Sequence, residues 1–485
     1  MSIRTGPDGD VSIGNDLRDV LCLTADGRLY ISKTHITAPN VRAFMGRLDR
    51  LGEQYKVVQC ELGKISQIYE SYSADGGDVL SIFQGKAVDL FARAVSENAS
   101  DIHLSVSKTE ATKIKFRING MLQLIEEHPY DFGQKLCSTI YQSLTDVSAP
   151  TFETNAPQDA RIADKKNLPN QINGIRIATG PQVDGFLMVL RLLYNPTNMD
   201  LNLLSLGYSE AQKKDIEDIE KNPTGIAVIA GSTGSGKSTT LQRILTRIIE
   251  SSKGSINVIT VEDPPEYLIK GAIQSPVANA KTEEDRSAAF QLAIKAAMRL
   301  DPDSMMVGEV RDHPSASLAI KAALSGHPLW TTVHANNGFG IITRLLDIGV
   351  SINLLCDPNV ISGLICQTLA RVLCEKCKVK LSDNKGEVSA EDFARYTEKL
   401  EIENVYLRGC GCEHCKNTGV TGRTVVAEVI KTNYKILELI KAGNHEEAMK
   451  YWVSTGGITM KGHAISKVNA GICDPSDTES LVGQF

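Results

Sequence analysis

The sequence predicts an α/β fold, and two observations support this prediction. The first is a set of four short apolar runs, at 225–230, 256–261, 304–307 and 329–333, which have the length and composition of buried strands. The second is the helical spacing of the apolar residues at 239–249, directly after the first run. A buried strand, a turn and a helix in this order form the repeating unit of an α/β fold with a parallel sheet.

The turn between the first strand and its helix matches the pattern G-x-x-x-x-G-K-[ST] at every fixed position. It consists of Gly231, Ser232, Thr233, Gly234, Ser235, Gly236, Lys237 and Ser238, and Thr239 continues into the helix. Glycines let successive backbone N–H groups face an anion, and the helix N-terminus adds unsatisfied donors. We therefore expect all of these residues to bind a nucleotide, with Lys237 at the β- and γ-phosphates and Ser238 on Mg²⁺.

Length and composition limit the classes of protein to which the chain can belong. Its 485 residues are enough for about three domains of ordinary size. The formal net charge of −6 argues against a nucleic-acid-binding surface. No apolar run approaches the ~18 residues of a membrane span, and the N-terminus lacks the apolar core of a secretory signal. We therefore expect a cytoplasmic protein whose role at a membrane would depend on a partner.

Residues 1–78 are predicted to form a small N-terminal module. Two strand-like runs at 20–24 and 28–32 flank an Asp-Gly turn, which predicts a hairpin. The pattern at 41–51 favours a helix, and the glycine- and aspartate-rich stretch at 72–78 is typical of a linker. No chemistry is evident in this module, so a docking role and a structural cap both stay open.

Residues 79–198 combine helical and strand-like patterns, which predicts a second unit. The spacing at 87–95 is that of an amphipathic helix. Strand-like runs follow at 114–118, 174–178 and 187–193. Taken alone, each arginine in these runs is more often a solvated surface charge than a ligand. The segment 194–198 is predicted to be the linker into the domain that carries the phosphate loop.

Polar residues follow each of the three later strands of the predicted parallel sheet. Glu262 and Asp263 end the second strand, Glu309 follows the third, and His334 follows the fourth. Open α/β sheets bind ligands outside the carboxyl ends of their strands, so these side chains should meet the phosphate loop. Glu262 and Asp263 could order Mg²⁺ through water, and Glu309 could position the attacking water. His327, before the fourth strand, is a second candidate histidine.

The cysteines are clustered in a way that indicates a metal. The chain has 11 of them. Two C-x-x-C pairs consist of Cys374, Cys377, Cys412 and Cys415. Each pair offers two thiolates to one tetrahedral ion, so we expect structural zinc. Neither pair opens a thioredoxin-like βα unit, which disfavours a redox role. Cys410 is left over, and His414 is a conceivable substitute ligand.

Taken together, these motifs resemble those of the secretion ATPase superfamily, and within it the type II secretion and type IV pilus assembly ATPases. The resemblance covers about residues 80–480. The matching segments are the phosphate loop at 231–238, an acidic box at 260–267, a Walker B segment at 301–312, a histidine box at 326–334, and the stretches 100–103, 157–159 and 418–423.

The resemblance implies a particular domain organisation and quaternary structure. We expect a RecA-like phosphate-loop ATPase domain over 199–485, preceded by a PAS-like α+β domain over 79–198. A tetracysteine zinc insertion is expected at 370–425, followed by the C-terminal helices. The family assembles as a homo-hexamer, so the resemblance implies a ring.

The resemblance also assigns roles to several side chains. Arg176 and Arg191 occupy positions where the family places arginines that face the nucleotide. Arg299 and Lys295 fall on a further pair that is usually two arginines. Lysine is a point charge, so Lys295 puts a bidentate role at its position in doubt. The catalytic set implied is Glu309, Lys237, His334, His327, Arg176 and Arg191.

The function we expect is that of an ATPase that uses ATP and Mg²⁺ to drive assembly of a type IV pilus or a type II secretion pseudopilus. The resemblance implies an inner-membrane platform protein as partner, so the chain would be peripheral to the inner membrane, with no nucleic acid. Three alternatives agree less well with the sequence. The zinc motif argues against a retraction or conjugation (type IV secretion) ATPase, intact Glu309 and Lys237 argue against a non-hydrolysing scaffold, and the acidic charge argues against a DNA translocase.

Overall fold

The computed structural model describes most of the chain. The described residues are 3–5, 11, 13, 17, 20–60, 64–65, 68, 82–146, 151–195, 200–277 and 283–485. The predicted linker at 72–78 lies outside them, and so do residues 196–198 of the predicted linker at 194–198. Within these ranges, no helix combines the length and the apolar character that a membrane span requires.

Among the residues that the structure describes, the N-terminal module contains a three-stranded sheet and the helix that links two of its strands. Its elements are β1 (Leu21–Leu23), β2 (Arg28–Ser32), α1 (Pro39–Arg50) and β3 (Lys56–Cys60). Strands β1 and β2 are antiparallel, and β3 lies parallel to β2. Gly27 has a φ of +76° in the tight turn, a conformation that favours glycine. The predicted hairpin and helix are therefore confirmed, and α1 is the crossover that a parallel pair needs.

The second unit is a six-stranded antiparallel sheet in the order β6-β5-β4-β9-β8-β7. Its elements are α2 (Ile82–Ser96), β4 (Asp101–Ser107), β5 (Thr112–Ile118), β6 (Met121–His128), α3 (Tyr130–Ser143), β7 (Gln158–Ile162), β8 (Ile172–Gln182) and β9 (Gly185–Tyr194). Both helices bury their apolar residues in one core with the strands. The helix and the three strands predicted here are confirmed.

The third unit is a seven-stranded sheet in the order β12-β11-β13-β14-β10-β15-β18. Its strands are β10 (Ile226–Ala230), β11 (Val258–Glu262), β12 (Ala272–Pro276), β13 (Ser304–Val307), β14 (Leu329–Val333), β15 (Ile361–Leu373) and β18 (Val420–Lys431). Its helices are α4 (Glu210–Glu220), α5 (Lys237–Ser251), α6 (Glu283–Ala297), α7 (His313–Leu324), α8 (Gly338–Asp347) and α9 (Ile352–Leu355). The first six strands of the sheet are parallel, and β18 is antiparallel.

Both faces of this sheet are buried. Separate apolar clusters lie on its two sides, which is why β10, β11, β13 and β14 are buried at every position and mostly apolar rather than alternating. The register pairs Val261 with Val307, Val307 with Thr331, and Ala230 with Val333. The carboxyl ends of β10, β11, β13 and β14 therefore meet at one edge, and the α/β prediction is confirmed.

The remaining elements form an insertion and a C-terminal helical region. The insertion between β15 and β18 contains β16 (Val379–Lys380), α10 (Ala390–Lys399) and β17 (Tyr406–Leu407). The C-terminal helices are α11 (Tyr434–Lys441), α12 (His445–Ser454), α13 (Met460–Asn469) and α14 (Pro475–Val482). Helix α14 is tied to α10, since Glu479 accepts hydrogen bonds from Arg395 Nη2 at 2.8 Å and from the Tyr396 hydroxyl at 3.0 Å.

Candidate active site and metal centre

A cavity of about 1100 Å³ lies between the six-stranded sheet and the carboxyl edge of the parallel sheet. Most of the residues predicted from the sequence line it. They are Ser232, Thr233, Gly234, Ser235, Gly236, Lys237, Ser238, Thr239, Glu262, Asp263, Glu309, His334, Arg176 and Arg191. Two different sheets of the same chain thus contribute side chains to one site.

The phosphate loop has the backbone geometry that its sequence predicts. It connects the end of β10 to Lys237, the first residue of α5. Gly231 has a φ of +149°, and a Cβ there would lie 2.3 Å from the carbonyl oxygen of Gln367. Lys237 Nζ donates to the carbonyl oxygens of Gly231 at 2.8 Å and Ser232 at 3.1 Å. Burial lowers the pKa of Lys237.

One atom of the loop is buried without a partner. Within the described part of the chain, Ser235 Oγ is buried and has no hydrogen-bond partner. A buried hydroxyl is costly when it is unpaired. Its position in the loop, beside N–H groups that can face an anion, fits a phosphate-bearing ligand.

Two carboxylates lie at the carboxyl end of β11, and both are held by neighbouring side chains. Glu262 Oε1 accepts hydrogen bonds from Thr260 Oγ1 at 2.6 Å and from Gln274 Nε2 at 2.9 Å. Burial raises the pKa of Glu262. Asp263 Oδ2 lies 2.8 Å from Arg286 Nε of α6. Both acids are therefore fixed at the cavity edge.

Glu309 lies at the centre of a second cluster, after β13. One of its oxygens, Oε2, is 2.9 Å from Arg311 Nη2, and the other, Oε1, is 3.3 Å from His334 Nε2. His334 comes from the end of β14, the strand next to β13. The side chain of Glu309 is 24% exposed. It is thus oriented toward the cavity and still accessible to water.

A row of charged residues crosses the six-stranded sheet opposite the loop. Directly paired positions on five adjacent strands are Arg117, Asp101, Arg191, Arg176 and Arg161. We call these five residues the arginine row. Residues directly opposite each other share one face of a sheet, and the first four line the cavity. The row explains why Arg176 and Arg191, 15 positions apart in sequence, lie side by side at one cavity.

Carboxylates hold part of the arginine row in place. Arg191 Nε donates to Asp101 Oδ1 at 3.0 Å, and Arg176 Nη1 lies 3.5 Å from Glu266 Oε1. Burial lowers the pKa of Arg176. Burial acts in the same direction on Arg191, but Asp101 outweighs it and raises the pKa of that guanidinium. Like charges on adjacent strands destabilise a sheet. The four arginines are only partly balanced by the two carboxylates, so an anionic ligand would offset the remaining positive charge.

Three predicted residues do not line this cavity. Gly231 belongs to the phosphate loop but lies behind the loop residues that line the cavity. His327 and Arg299 lie at the amino-terminal edge of the parallel sheet. His327 precedes β14, and its Nδ1 lies 3.0 Å from Ser325 Oγ. Arg299 is exposed and precedes β13. Strands of four and five residues are about 13 and 17 Å long, so a role for either side chain at a bound nucleotide would need a second chain.

Several lining residues were missed in the sequence. Arg117 and Asp101 belong to the arginine row, and Tyr267 places its hydroxyl 3.5 Å from Thr239 Oγ1. Arg117 stands two residues before the predicted turn at 119–120. That turn sets the register of β5 with β6, but nothing local indicates that β4 pairs with β9. The signal for the row was therefore absent from any single segment.

The four predicted zinc ligands come together at the base of the insertion. The Sγ atoms of Cys374, Cys377, Cys412 and Cys415 all lie within 4.8 Å of one another. Three of the Sγ–Sγ distances are 3.7, 3.8 and 3.7 Å. A tetrahedral ion with Zn–S bonds of about 2.3 Å requires about 3.8 Å between sulfurs, whereas a disulfide requires about 2.05 Å. The donor set therefore fits zinc.

The backbone around Cys415 also suits a thiolate ligand. The N–H groups of Cys412 and Gly419 both donate to Cys415 Sγ at 3.2 Å. Burial opposes the effect, but these hydrogen bonds bring the pKa of Cys415 down to about 6. The cluster found in the described residues contains neither Cys410 nor His414, in agreement with the choice of four cysteines.

Comparisons with known proteins show which family this chain resembles. The family model described as "Type II/IV secretion system protein" matches residues 84–479. Type II secretion system protein E of Pseudomonas aeruginosa is 34% identical over 387 residues, which cover 79% of this chain and 72% of that protein. The type IV pilus assembly ATPase TfpB of Acinetobacter baylyi is 34% identical over 369 residues, covering 75% of this chain and 59% of that protein.

A solved structure has the same fold. The pilus retraction motor PilT, determined with bound ADP, aligns with a TM-score of 0.54 over 83% of this chain and 97% of that chain. The two sequences are 22% identical over the alignment. This likeness supports the mixed α/β architecture described above.

Proposed function

This chain belongs to the family of type II/IV secretion system proteins, and we propose that it is an ATPase that powers assembly of a type IV pilus or a type II secretion pseudopilus. Of the two relatives named above, one is named a type II secretion system protein and the other a type IV pilus assembly ATPase. Their similarity extends over three quarters or more of this chain. The family is one of secretion ATPases, so ATP hydrolysis is the reaction expected.

The arginine row opposite the phosphate loop is the observation that carries the proposal. A triphosphate in the cavity would have loop N–H groups on one side and the guanidinium groups of Arg176 and Arg191 on the other. In phosphoryl transfer, charge spreads over the oxygens of the transferred group, and catalysis consists mainly of positioning and electrostatic stabilisation. Such a cationic enclosure would favour the transition state for transfer to water.

The chain's own residues can supply each remaining role. Lys237 would release the loop carbonyls and reach the β- and γ-phosphates, and the Ser238 hydroxyl would hold Mg²⁺. Mg²⁺ neutralises charge on the phosphate oxygens when bound. Glu309 would orient the attacking water and accept its proton. His334 keeps that carboxylate in position, and Glu262 and Asp263 would bind water around the metal.

We also propose the finer architecture. Residues 1–78 would be a separate N-terminal module, 79–198 a PAS-like domain, and 199–485 a RecA-like ATPase domain with its zinc subdomain at 370–425. A homo-hexamer would bring His327 and Arg299 of one chain toward a neighbour, which agrees with their place outside their own cavity. An inner-membrane platform protein would hold the ring at the membrane periphery and receive its motion.

Zinc would have a structural role in this proposal. Cys374 and Cys377 directly follow β15, and Cys412 and Cys415 precede β18. The four thiolates would close the base of the insertion, and no step of hydrolysis depends on them. Zinc binding and local folding are coupled in such sites.

Phosphate release by purified protein with Mg²⁺ and ATP tests the proposal. Glu309→Gln keeps the shape of the side chain but cannot accept a proton, so we expect nucleotide affinity to be kept and kcat to fall by roughly 10²-fold or more. Glu398→Gln, an exposed acid of the insertion, is the matched control. A Glu309→Gln protein with a kcat near that of the wild type would refute the assignment. Stimulation by single-stranded DNA would favour a translocase instead.

A further inference from the structure

Two buried polar side chains lie behind the phosphate loop, on the side away from the cavity. Tyr208 precedes α4, and Gln367 lies in the middle of β15. They are 3% and 0% exposed. Burying a hydroxyl or an amide is unfavourable unless it is hydrogen-bonded. Neither side chain lines the cavity, so contact with a ligand does not account for them.

The two side chains form a hydrogen-bonded chain that ends on the loop. The Tyr208 hydroxyl donates to Gln367 Oε1 at 2.6 Å, and Gln367 Nε2 donates to the carbonyl oxygen of Ser235 at 2.7 Å. Thr240 Oγ1, in the first turn of α5, lies 3.4 Å from the Tyr208 hydroxyl. These hydrogen bonds thus connect the segment before α4, strand β15 and the phosphate loop.

The hydrogen bond from Gln367 to Ser235 constrains the orientation of one peptide group of the phosphate loop. The C=O of Ser235 and the N–H of Gly236 belong to one planar trans peptide, so they point in opposite directions. Holding the Ser235 oxygen toward Gln367 turns the Gly236 N–H the other way, toward the cavity that Gly236 lines. An N–H aimed at that cavity is what an anion-binding loop requires.

We propose that Tyr208 and Gln367 are positioning residues that set the orientation of the Ser235–Gly236 peptide and thereby the affinity of the loop for a polyphosphate. This inference rests on the proposed nucleotide site. The tyrosine fixes the amide so that its NH₂ group faces the loop. Without the hydroxyl, Gln367 Oε1 loses its partner in a site closed to water, and the amide can rotate away from Ser235.

Tyr208→Phe removes one atom of this chain and tests the inference directly. Tyr396→Phe is the matched control, since Tyr396 is 1% exposed and also donates its hydroxyl to a partner, Glu479, far from the loop. The measurements are the Kd of a fluorescent ATP analogue with Mg²⁺ and the melting temperature of the free protein. A hydrogen bond of ordinary strength corresponds to a loss of roughly threefold to tenfold in affinity.

The expected result is a weaker Kd for Tyr208→Phe, with a melting temperature no lower than that of Tyr396→Phe. A merely structural tyrosine would lower the melting temperature and leave the Kd unchanged. Gln367→Met keeps the volume but cannot donate, and it carries the same test if Tyr208→Phe does not fold. The double variant should lose no more affinity than Gln367→Met alone, because both changes break one chain.

The outcomes separate this inference from the proposed function. Wild-type protein that binds no nucleotide would refute the function. Wild-type binding together with a Kd for Tyr208→Phe or Gln367→Met within twofold of it would refute the positioning role alone. Equal losses of affinity in Tyr208→Phe and Tyr396→Phe would also refute it, since the effect would then not be specific to the loop.

Discussion

Arg191→Ala is the substitution that most directly tests the arginine row. Arg191 lines the cavity and pairs with Asp101, whose side chain is 6% exposed. The change removes a charge opposite the phosphate loop and leaves a buried carboxylate with fewer partners. Asp101 keeps the Ser100 hydroxyl at 2.8 Å and Arg117 Nε at 3.7 Å. We expect the protein to fold and bind ATP but to lose most of its turnover.

The sizes of the two effects can be worked out separately. A hydrogen bond between charged groups contributes about 1.5–3 kcal/mol. The side chain of Arg191 is 47% exposed, so solvent screening and the remaining partners of Asp101 reduce the stability loss to about 1–2 kcal/mol. An arginine at the transferred phosphoryl group contributes roughly 10³-fold in rate. The free energy of unfolding of a domain is typically about 5–15 kcal/mol, so the variant should stay folded after such a loss. Unfolding would therefore not explain a large fall in kcat.

Arg93→Ala is the matched control for this prediction. Arg93 lies on α2 of the same unit, its side chain is also 47% exposed, and it pairs with Glu126 away from the cavity. The assay compares kcat for phosphate release at saturating ATP, with unfolding by urea measured in parallel. A kcat for Arg191→Ala within threefold of that for Arg93→Ala would refute the catalytic role of the row.

Mixing experiments with Arg191→Ala show whether Arg191 acts on the nucleotide of its own chain or on that of a neighbouring chain. The arginine row and the loop of a single chain line one cavity, so we expect mixtures of Arg191→Ala with Lys237→Ala to stay inactive. Recovery of activity, in mixed assemblies confirmed by mass, would show instead that the arginine acts on a neighbouring loop.

Three further predictions concern the loop, the metal and a buried histidine. Lys237→Ala should weaken ATP binding by roughly tenfold or more, because it removes one charge-assisted hydrogen bond to the phosphates. Cys412→Ser should lower zinc from about one ion per chain and lower the melting temperature with it. Burial and Lys467 bring the pKa of His463 from 6.5 to about 4. Between these two pH values the unfolded protein therefore binds a proton that the folded protein does not. The free energy of unfolding should fall by about 3 kcal/mol as the pH drops from 6.5 to about 4. It should fall by less in His463→Asn.

Each of these predictions has a definite contrary result. ATP titration showing equal affinity for Lys237→Ala and wild type would contradict the role of the lysine. Elemental analysis that finds no zinc in fresh, reduced protein would refute the metal centre. Urea unfolding at pH 7 and pH 5 decides the third, because an identical pH dependence in His463→Asn and wild type would rule out the histidine as its source.

The sequence was sufficient wherever a property depends on neighbours along the chain. The phosphate loop, the strand ends that carry Glu262, Glu309 and His334, and the paired cysteines were all found by pattern. In each case the physical requirement is local. An anion site needs glycines and a helix start within a few residues, and a parallel strand brings the residue at its carboxyl end to the ligand-binding edge.

Two predicted residues show where local reasoning ends. His327 and His334 flank the same strand, and the sequence alone treats them alike. The strand separates them to opposite edges of the sheet, and only His334 lines the cavity. Arg299 precedes β13 in the same way. A residue that precedes a parallel strand lies at the edge opposite the one that binds ligands.

What the sequence by itself determined is the set of groups that could bind and cleave a nucleotide, because those groups sit in short, self-contained motifs. Only the tertiary structure decided which distant residues join them. The pairing of β4 with β9 brings Asp101 opposite Arg191, 90 positions away, and the chain from Tyr208 to Gln367 spans 159 positions. Such contacts depend on which strands become neighbours. That choice follows from burying the apolar faces of the whole chain together, so no single segment contains it.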